Sequence, residues 1–186
     1  MRIIAGRFKG RRLEGPRGAA VRPTSDSLRE TLFNVLGDRV EAGEFLDAFA
    51  GTGAVGLEAL SRGAAQVTFV ECDRRAAALL VENIERCTGD RKNDACMIVR
   101  EAFERVQLNA FDIVWLDPPY EMPGLETALA RAGQLVKAGG CVVLEHAKRR
   151  EIADRPSGLE RTRLLIAGDS ALSFFAPVPV RAGDEA

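Results

Sequence analysis

The sequence predicts an α/β fold with a mostly parallel sheet, and three observations predict it. Apolar runs of strand length alternate with amphipathic stretches of helix length from residue 45 to residue 144. The first of those runs leads directly into a glycine-rich loop. Two further apolar runs near the carboxyl end are joined through Gly168 and Asp169. Alternating strands and helices give parallel neighbours with helices on both faces. Two strands joined by so short a turn give an antiparallel hairpin.

The elements follow in chain order. Between Arg2 and Leu13, apolar pieces (Ile3, Ile4, Phe8, Leu13) are broken by Gly6 and Gly10, which suits a small hairpin or bent ribbon. Gly15, Pro16 and Gly18 mark a loop. A helix is expected to start between Thr24 and Ser27, where Ser27-Leu28-Arg29-Glu30 matches a capping box. Leu28, Leu32, Val35 and Leu36 then recur on one face, and Gly37 closes it. Strands are expected over Phe45–Phe49, Gln66–Val70, Cys96–Arg100, Phe111–Leu116 and Cys141–Leu144. Helices are expected over Ala54–Arg62, Arg74–Cys87 and Leu125–Lys137, the last closed by Gly139 and Gly140. The terminal hairpin is placed at Thr162–Ala167 and Ala171–Ala176. The organisation expected is a basic extension over residues 1–40 packed on a main domain of residues 41–177, with a frayed tail at 178–186.

Composition narrows the chemistry. Hydrophobic residues make up 46% and charged residues 28%, which argues against a disordered chain. No apolar run approaches the roughly 20 residues that span a bilayer, so the expectation is a cytoplasmic protein with no membrane partner. His146 is the only histidine, and the four cysteines form no Cys-x-x-Cys pair. Histidine-based triads and a metal site are therefore not expected. Net charge is −1, but the segment to Arg22 carries Arg2, Arg7, Lys9, Arg11, Arg12, Arg17 and Arg22 against Glu14 alone. A positive arm on a neutral body suits phosphate neutralisation, although a solvated tail has the same composition.

Asp117-Pro118-Pro119-Tyr120 leaves the apolar run Phe111–Leu116 where a buried strand ends. The two prolines fix φ and hold Asp117 extended. The Asp117 carboxylate and Pro118 carbonyl can accept from an exocyclic amine, while Tyr120 offers a ring for a base to stack on. N-methylation of a nucleobase needs that combination; a plain strand terminator needs only the prolines.

Gly51, Gly53 and Gly56 satisfy G-x-G-x-x-G, and Glu71 lies 20 residues after Gly51. Both suit a nucleoside cofactor bound at a helix amino terminus, with Glu71 on the ribose. Taken alone they fit NAD. Asp47, just before the loop, would repel a pyrophosphate and favour the cationic end of S-adenosylmethionine. Glu101 and Ala102, after the third strand, could read an adenine. Asp47 also suits capping of the Ala54 helix, Gly53 and Gly56 suit helix–sheet packing, and Glu71 with Asp73 suits capping of the next helix.

These motifs, together with Arg2-Ile3-Ile4-Ala5-Gly6, Arg22-Pro23-Thr24 and Arg29-Glu30-Thr31-Leu32-Phe33-Asn34, resemble the bacterial RsmD family over most of the chain. The resemblance implies a Rossmann-like class I methyltransferase with a seven-stranded sheet and a basic extension near the active site. It also implies methylation of a guanine N2 in 16S rRNA of the small ribosomal subunit, or its assembly intermediate; a monomer is expected. It places Asp117, Pro118, Pro119 and Tyr120 in catalysis. Asp47, Phe49, Gly51, Thr52, Gly53, Glu71, Cys72, Glu101, Ala102 and Asp117 would bind S-adenosylmethionine. Arg2, Arg7, Lys9, Arg11, Arg12, Arg22 and Arg29 would bind RNA. The competing readings are an adenine-N6 DNA or RNA methyltransferase and a non-catalytic RNA-binding assembly factor.

Overall fold

A computed structural model describes residues 1–15 and 25–179. Its centre is one seven-stranded sheet. The strands are β1 (Glu44–Asp47), β2 (Gln66–Val70), β3 (Cys96–Val99), β4 (Phe111–Leu116), β5 (Val136–Ala147), β6 (Leu159–Ala167) and β7 (Ser170–Pro177). Their spatial order is β3-β2-β1-β4-β5-β7-β6, with the first five parallel and β7 antiparallel to both neighbours. The helices are α1 (Asp26–Leu36), α2 (Ala54–Ser61), α3 (Arg74–Thr88) and α4 (Leu125–Leu135).

Alternation along the central strands divides the core in two. Phe45, Phe69, Ile113, Trp115 and Val143 pack under α1, α2 and α3, whereas Leu46, Val70, Val114, Leu116 and Leu144 pack under α4. Trp115 is thus core, as its place inside an apolar strand implies.

Several boundaries differ from the sequence reading, each for a physical reason. Helix α1 is capped by Ser25, whose hydroxyl accepts from Leu28 N–H at 3.1 Å; Ser27 is inside the helix and its carbonyl accepts from Thr31. Strand β1 stops at Asp47 because the chain then crosses toward β2: Ala48 N–H bonds Trp115 C=O, but Ala50 N–H bonds Val70 C=O. Helix α4 ends at Leu135 and β5 begins at once, before the two glycines. Gly139 takes φ +79°, and a Cβ on Gly140 would lie 2.8 Å from Asp112 O. Those glycines let β5 bend in against β4 instead of stopping the helix.

The amino-terminal ribbon is a small hairpin closed by an antiparallel bridge between Arg2 and Arg12. Buried Glu58 of α2 accepts from Ile4 N–H at 2.7 Å and Ala5 N–H at 3.0 Å, and Ser61 accepts from Arg7 and Phe8 N–H. Helix α2 is buried at every position, so its one acid is there to receive the hairpin's backbone.

Candidate active site

The register of the parallel strands aligns three acids. Asp47 pairs with Phe69 of β2 and with Trp115 of β4. Glu71 and Asp117 each stand two residues beyond those partners, so all three face the α2–α3 side at adjacent carboxyl ends. That is the ligand crevice of an open α/β sheet.

Asp47 is 1% exposed, and one carboxylate oxygen accepts from Gly56 N–H at 2.9 Å. Gly56 belongs to the first turn of α2, so Asp47 does cap that helix. Burial pushes its pKa up to about 7, the Gly56 hydrogen bond opposes this, and Asp117 and Glu71 add to the rise. A carboxyl so placed gains from any cation brought beside it.

The glycines have different duties. Gly53 (φ +81°) would put a Cβ 2.3 Å from Leu80 Cδ1, and Gly56 would put one 2.3 Å from the Phe69 ring. Both are packing glycines. Gly51 (φ +55°) has no atom within 4 Å of a built Cβ, so its backbone borders open space. Its N–H donates to Glu71 Oε2 at 2.7 Å, while Asp73 N–H donates to Glu71 Oε1 at 2.7 Å. Glu71 is thereby held in orientation by two backbone amides, and each oxygen keeps a lone pair for another donor. Asp73 caps α3 through Arg75 and Ala76 N–H.

A cleft of about 460 Å³ opens beside this crevice, lined by Phe49, Glu71, Cys72, Glu101, Ala102, Phe103, Glu104 and Pro119, and by Glu121 through Pro123. Phe49 and Phe103 meet edge to face at 5.6 Å and form an aromatic wall. A second hollow of about 440 Å³ shares Glu71 and Cys72 and is bordered by Arg74, Ala77 and Arg100. The first cleft brings together Phe49, Glu71, Cys72, Glu101, Ala102 and Pro119. Asp47, Gly51, Thr52, Gly53, Asp117, Pro118 and Tyr120 are outside its lining.

After β4 the chain leaves with Asp117 half-buried, Pro118 buried and Pro119 and Tyr120 exposed. Tyr120 is 41% exposed, and its hydroxyl shares a 2.7 Å hydrogen bond with Ser170 Oγ of β7. Arg150 donates to Tyr120 C=O at 2.6 Å and to Met122 C=O at 3.4 Å. The turn is therefore fastened at its ring and at its backbone. Ser170 and Arg150 carry no local sequence signal, since only the β5–β7 pairing brings them here. Asn83 of α3 was likewise missed: it donates to Glu14 C=O at 3.0 Å and Thr52 C=O at 2.9 Å and accepts from Glu14 N–H at 2.8 Å. It ties the hairpin's exit to the glycine loop.

Among the described residues, the basic residues expected to bind RNA are not gathered at the crevice. Arg29 is a correction: its side chain is fully buried, paired with Asp26 at 2.7 Å and bonded to Arg2 C=O, so it anchors the hairpin and cannot reach RNA. Arg7 and Arg11 lie over the Phe8 ring, with Arg7 4.7 Å from its centroid. Arg7 N–H bonds Ser61 C=O and Arg11 bonds Arg86 C=O, which sets this tip against the carboxyl ends of α2 and α3. Those ends lie by the strands' amino-terminal edge, so within residues 1–15 the hairpin approaches the crevice through its stem at Glu14. Lys9 and Arg12 are exposed, exposed Arg2 is 3.7 Å from Asp26, and Arg22 lies outside the described residues.

Fold and crevice together define a Rossmann-like class I methyltransferase, with its acids at the carboxyl ends of β1, β2 and β4. The family profile described as Conserved hypothetical protein 95 matches residues 1–176. Ribosomal RNA small subunit methyltransferase D of Haemophilus influenzae is 38% identical over 133 residues, covering 70% of this chain and 69% of its own. Bacillus subtilis YlbH is 34% identical over 182 residues, covering 94% and 98%. The solved structure of Escherichia coli YhhF superposes with a TM-score of 0.82 at 32% identity, covering 96% of this chain and 98% of that one. The chain belongs to the RsmD family of methyltransferases.

Proposed function

We propose that this protein is an rRNA methyltransferase that uses S-adenosylmethionine to methylate the exocyclic N2 amine of a guanine in 16S rRNA of the small subunit. The observation that carries the reading is the alignment of Asp47, Glu71 and Asp117 on one face at three adjacent strand ends. The names of its relatives supply the RNA class.

The residues present fit the cofactor. Glu71, oriented by Gly51 and Asp73 N–H, has acceptor capacity left for ribose hydroxyls. The Phe49–Phe103 wall suits an adenine face, and Glu101 with Ala102 borders its edge. Buried Asp47, raised by desolvation and by Asp117 and Glu71, would be stabilised as an anion by the cationic end of the cofactor. When bound, S-adenosylmethionine supplies a methyl group on a sulfonium, an electrophile that needs no activation.

The amine is the poor partner, because its lone pair is delocalised into the purine ring. In this reading the Asp117 carboxylate and Pro118 carbonyl accept its two N–H groups and stabilise the positive charge that develops on nitrogen. The same two contacts would fix the position and orientation of that nitrogen for the transfer, and positioning of this kind is worth up to roughly 7 to 11 kcal/mol. The alkylated nitrogen then loses a proton to Asp117 or to water beyond exposed Pro119. Tyr120, fixed by Ser170 and Arg150, stacks on the extruded base.

The test is labelled methyl transfer to small subunits, free 16S rRNA and duplex DNA, with product nucleosides identified by mass spectrometry. N2-methylguanosine is expected from an RNA substrate, and N6-methyladenosine would overturn the reading. Asp117→Ala should abolish transfer while calorimetric S-adenosylmethionine binding persists. Failure of the wild type to bind S-adenosylmethionine would favour the non-catalytic assembly factor.

A further inference from the structure

The described hairpin leaves the mouth of the crevice without a phosphate contact. Its cationic tip is set against Ser61, seven residues beyond the start of α2, about 10 Å along the helix from the glycine loop. The cleft beside the mouth is lined by Glu71, Glu101, Glu104 and Glu121, while Arg74 and Arg100 border the further hollow that shares Glu71. RNA presenting a base to the Asp117–Tyr120 turn meets a different surface on the opposite flank.

That flank is the corner after β5. Ala147 pairs with Ser170, the residue that holds the Tyr120 hydroxyl at 2.7 Å. Lys148 N–H then bonds Asp169 C=O at 2.8 Å and turns the chain, so Lys148 is one residue past the strand position that fixes the stacking ring. Arg150 points inward to the Tyr120 carbonyl. Lys148 and Arg149 stay exposed, and among the described residues neither forms an ion pair, even with the neighbouring acids Glu151 and Asp169. Two unneutralised cations beside the catalytic turn, opposite a carboxylate-lined cleft, give the mouth a polarity that a phosphodiester strand can follow.

We propose that Lys148 and Arg149 bind backbone phosphates of single-stranded RNA flanking the target nucleotide, so that the strand enters over the β5–β6 corner. This rests on the RNA methyltransferase reading. Each phosphate contact on single-stranded RNA contributes about 0.7 to the slope of log affinity against log salt. Lys148→Ala/Arg149→Ala should therefore flatten that slope by about 1.4 and weaken affinity roughly tenfold at 0.15 M salt.

The test uses the full chain with a 16S rRNA transcript and with unmodified small subunits. Filter binding across a salt series is joined to KM for RNA, S-adenosylmethionine calorimetry and thermal unfolding. A flattened slope and a KM raised about tenfold, with cofactor affinity and melting temperature unmoved, are the expected result. The charge-preserving swap Lys148→Arg/Arg149→Lys should restore both. An unchanged slope and KM in the double alanine variant would overturn the inference, as would a loss that the swap does not rescue. Absence of methyl transfer to either RNA by the wild type would instead remove the enzyme reading on which it stands.

Discussion

Asp47→Asn separates the energetic role of this buried acid from the packing around it. A carboxyl moved from 3.8 to about 7 on folding, at about 1.4 kcal/mol per pH unit, corresponds to a cost of about 4 kcal/mol once it is ionised. The sign follows from the direction of that shift. Between pH 4 and pH 7 the folded state binds more protons at Asp47 than the unfolded state, so stability falls as pH rises, and the loss is complete above pH 7. Roughly 2 to 3 kcal/mol of it develops between pH 5 and pH 8. Asparagine cannot ionise, yet its amide oxygen can still accept from Gly56 N–H. Any fixed cost of the amide shifts the variant equally at every pH, and the titration of groups not coupled to Asp47 is common to both proteins. Urea unfolding of both from pH 5 to pH 8 should therefore show the variant gaining on the wild type by that amount, equivalent to several degrees in melting temperature. Parallel profiles would refute the reasoning. The gain in stability should come with a loss in function: wild-type affinity for S-adenosylmethionine should rise through pH 7 as Asp47 ionises, and the variant should bind weakly with no such rise.

Two further perturbations distinguish parts of the same crevice. Gly53→Ala meets Leu80 at 2.3 Å in a left-handed conformation and should destabilise by roughly 2 to 4 kcal/mol, whereas Gly51→Ala has open space and should cost about 1 kcal/mol in unfolding while weakening cofactor binding by calorimetry. Asn83→Ala removes three hydrogen bonds linking Glu14 and Thr52, and should cost about 2 to 3 kcal/mol in urea unfolding and loosen cofactor binding with it.

How much of this was legible in the sequence depended on whether the deciding contact was local. Gln66–Val70 and Phe111–Leu116 fall where the sequence places them, because strands buried on both faces are predominantly apolar. Cys141–Leu144 was only the core of a strand running from Val136 to Ala147, since Gly139 and Gly140 read as a helix stop while their structural use is a close approach to Asp112. The three acids could be found because each ends a recognisable strand. Ser170 and Arg150 could not, because what makes them part of the site is a strand pairing and a loop path that span 50 and 30 residues. Arg29 shows the reverse error. A cation near a basic arm reads as a phosphate ligand, and only burial against Asp26 reveals it as part of the hairpin's mooring. The signal available was Glu58, a lone acid in the apolar stretch Ala54–Leu60, which announces a buried polar partner before the partner is known.

Asp47 capping α2 and Asp47 serving a cationic ligand were alternatives at the level of sequence, and the geometry makes them compatible. The cap fixes one carboxylate oxygen on Gly56 N–H without ionising the group fully, because burial and the neighbouring acids Asp117 and Glu71 hold its pKa near 7. A side chain capped in a solvated loop would already be charged and would gain little from a cation. A buried one is left partly protonated at neutral pH, so an arriving positive charge gains the Coulomb attraction of a poorly solvated carboxylate but must first displace the proton, and its affinity rises with pH. Asp117 and Glu71, which raise the cost of ionising Asp47, are thus part of what would make the crevice selective for a positively charged methyl donor over its neutral-sulfur product, and comparison of the two by calorimetry at pH 6 and pH 8 reads that difference directly: the preference for the donor should widen at the higher pH in the wild type and stay constant in Asp47→Asn.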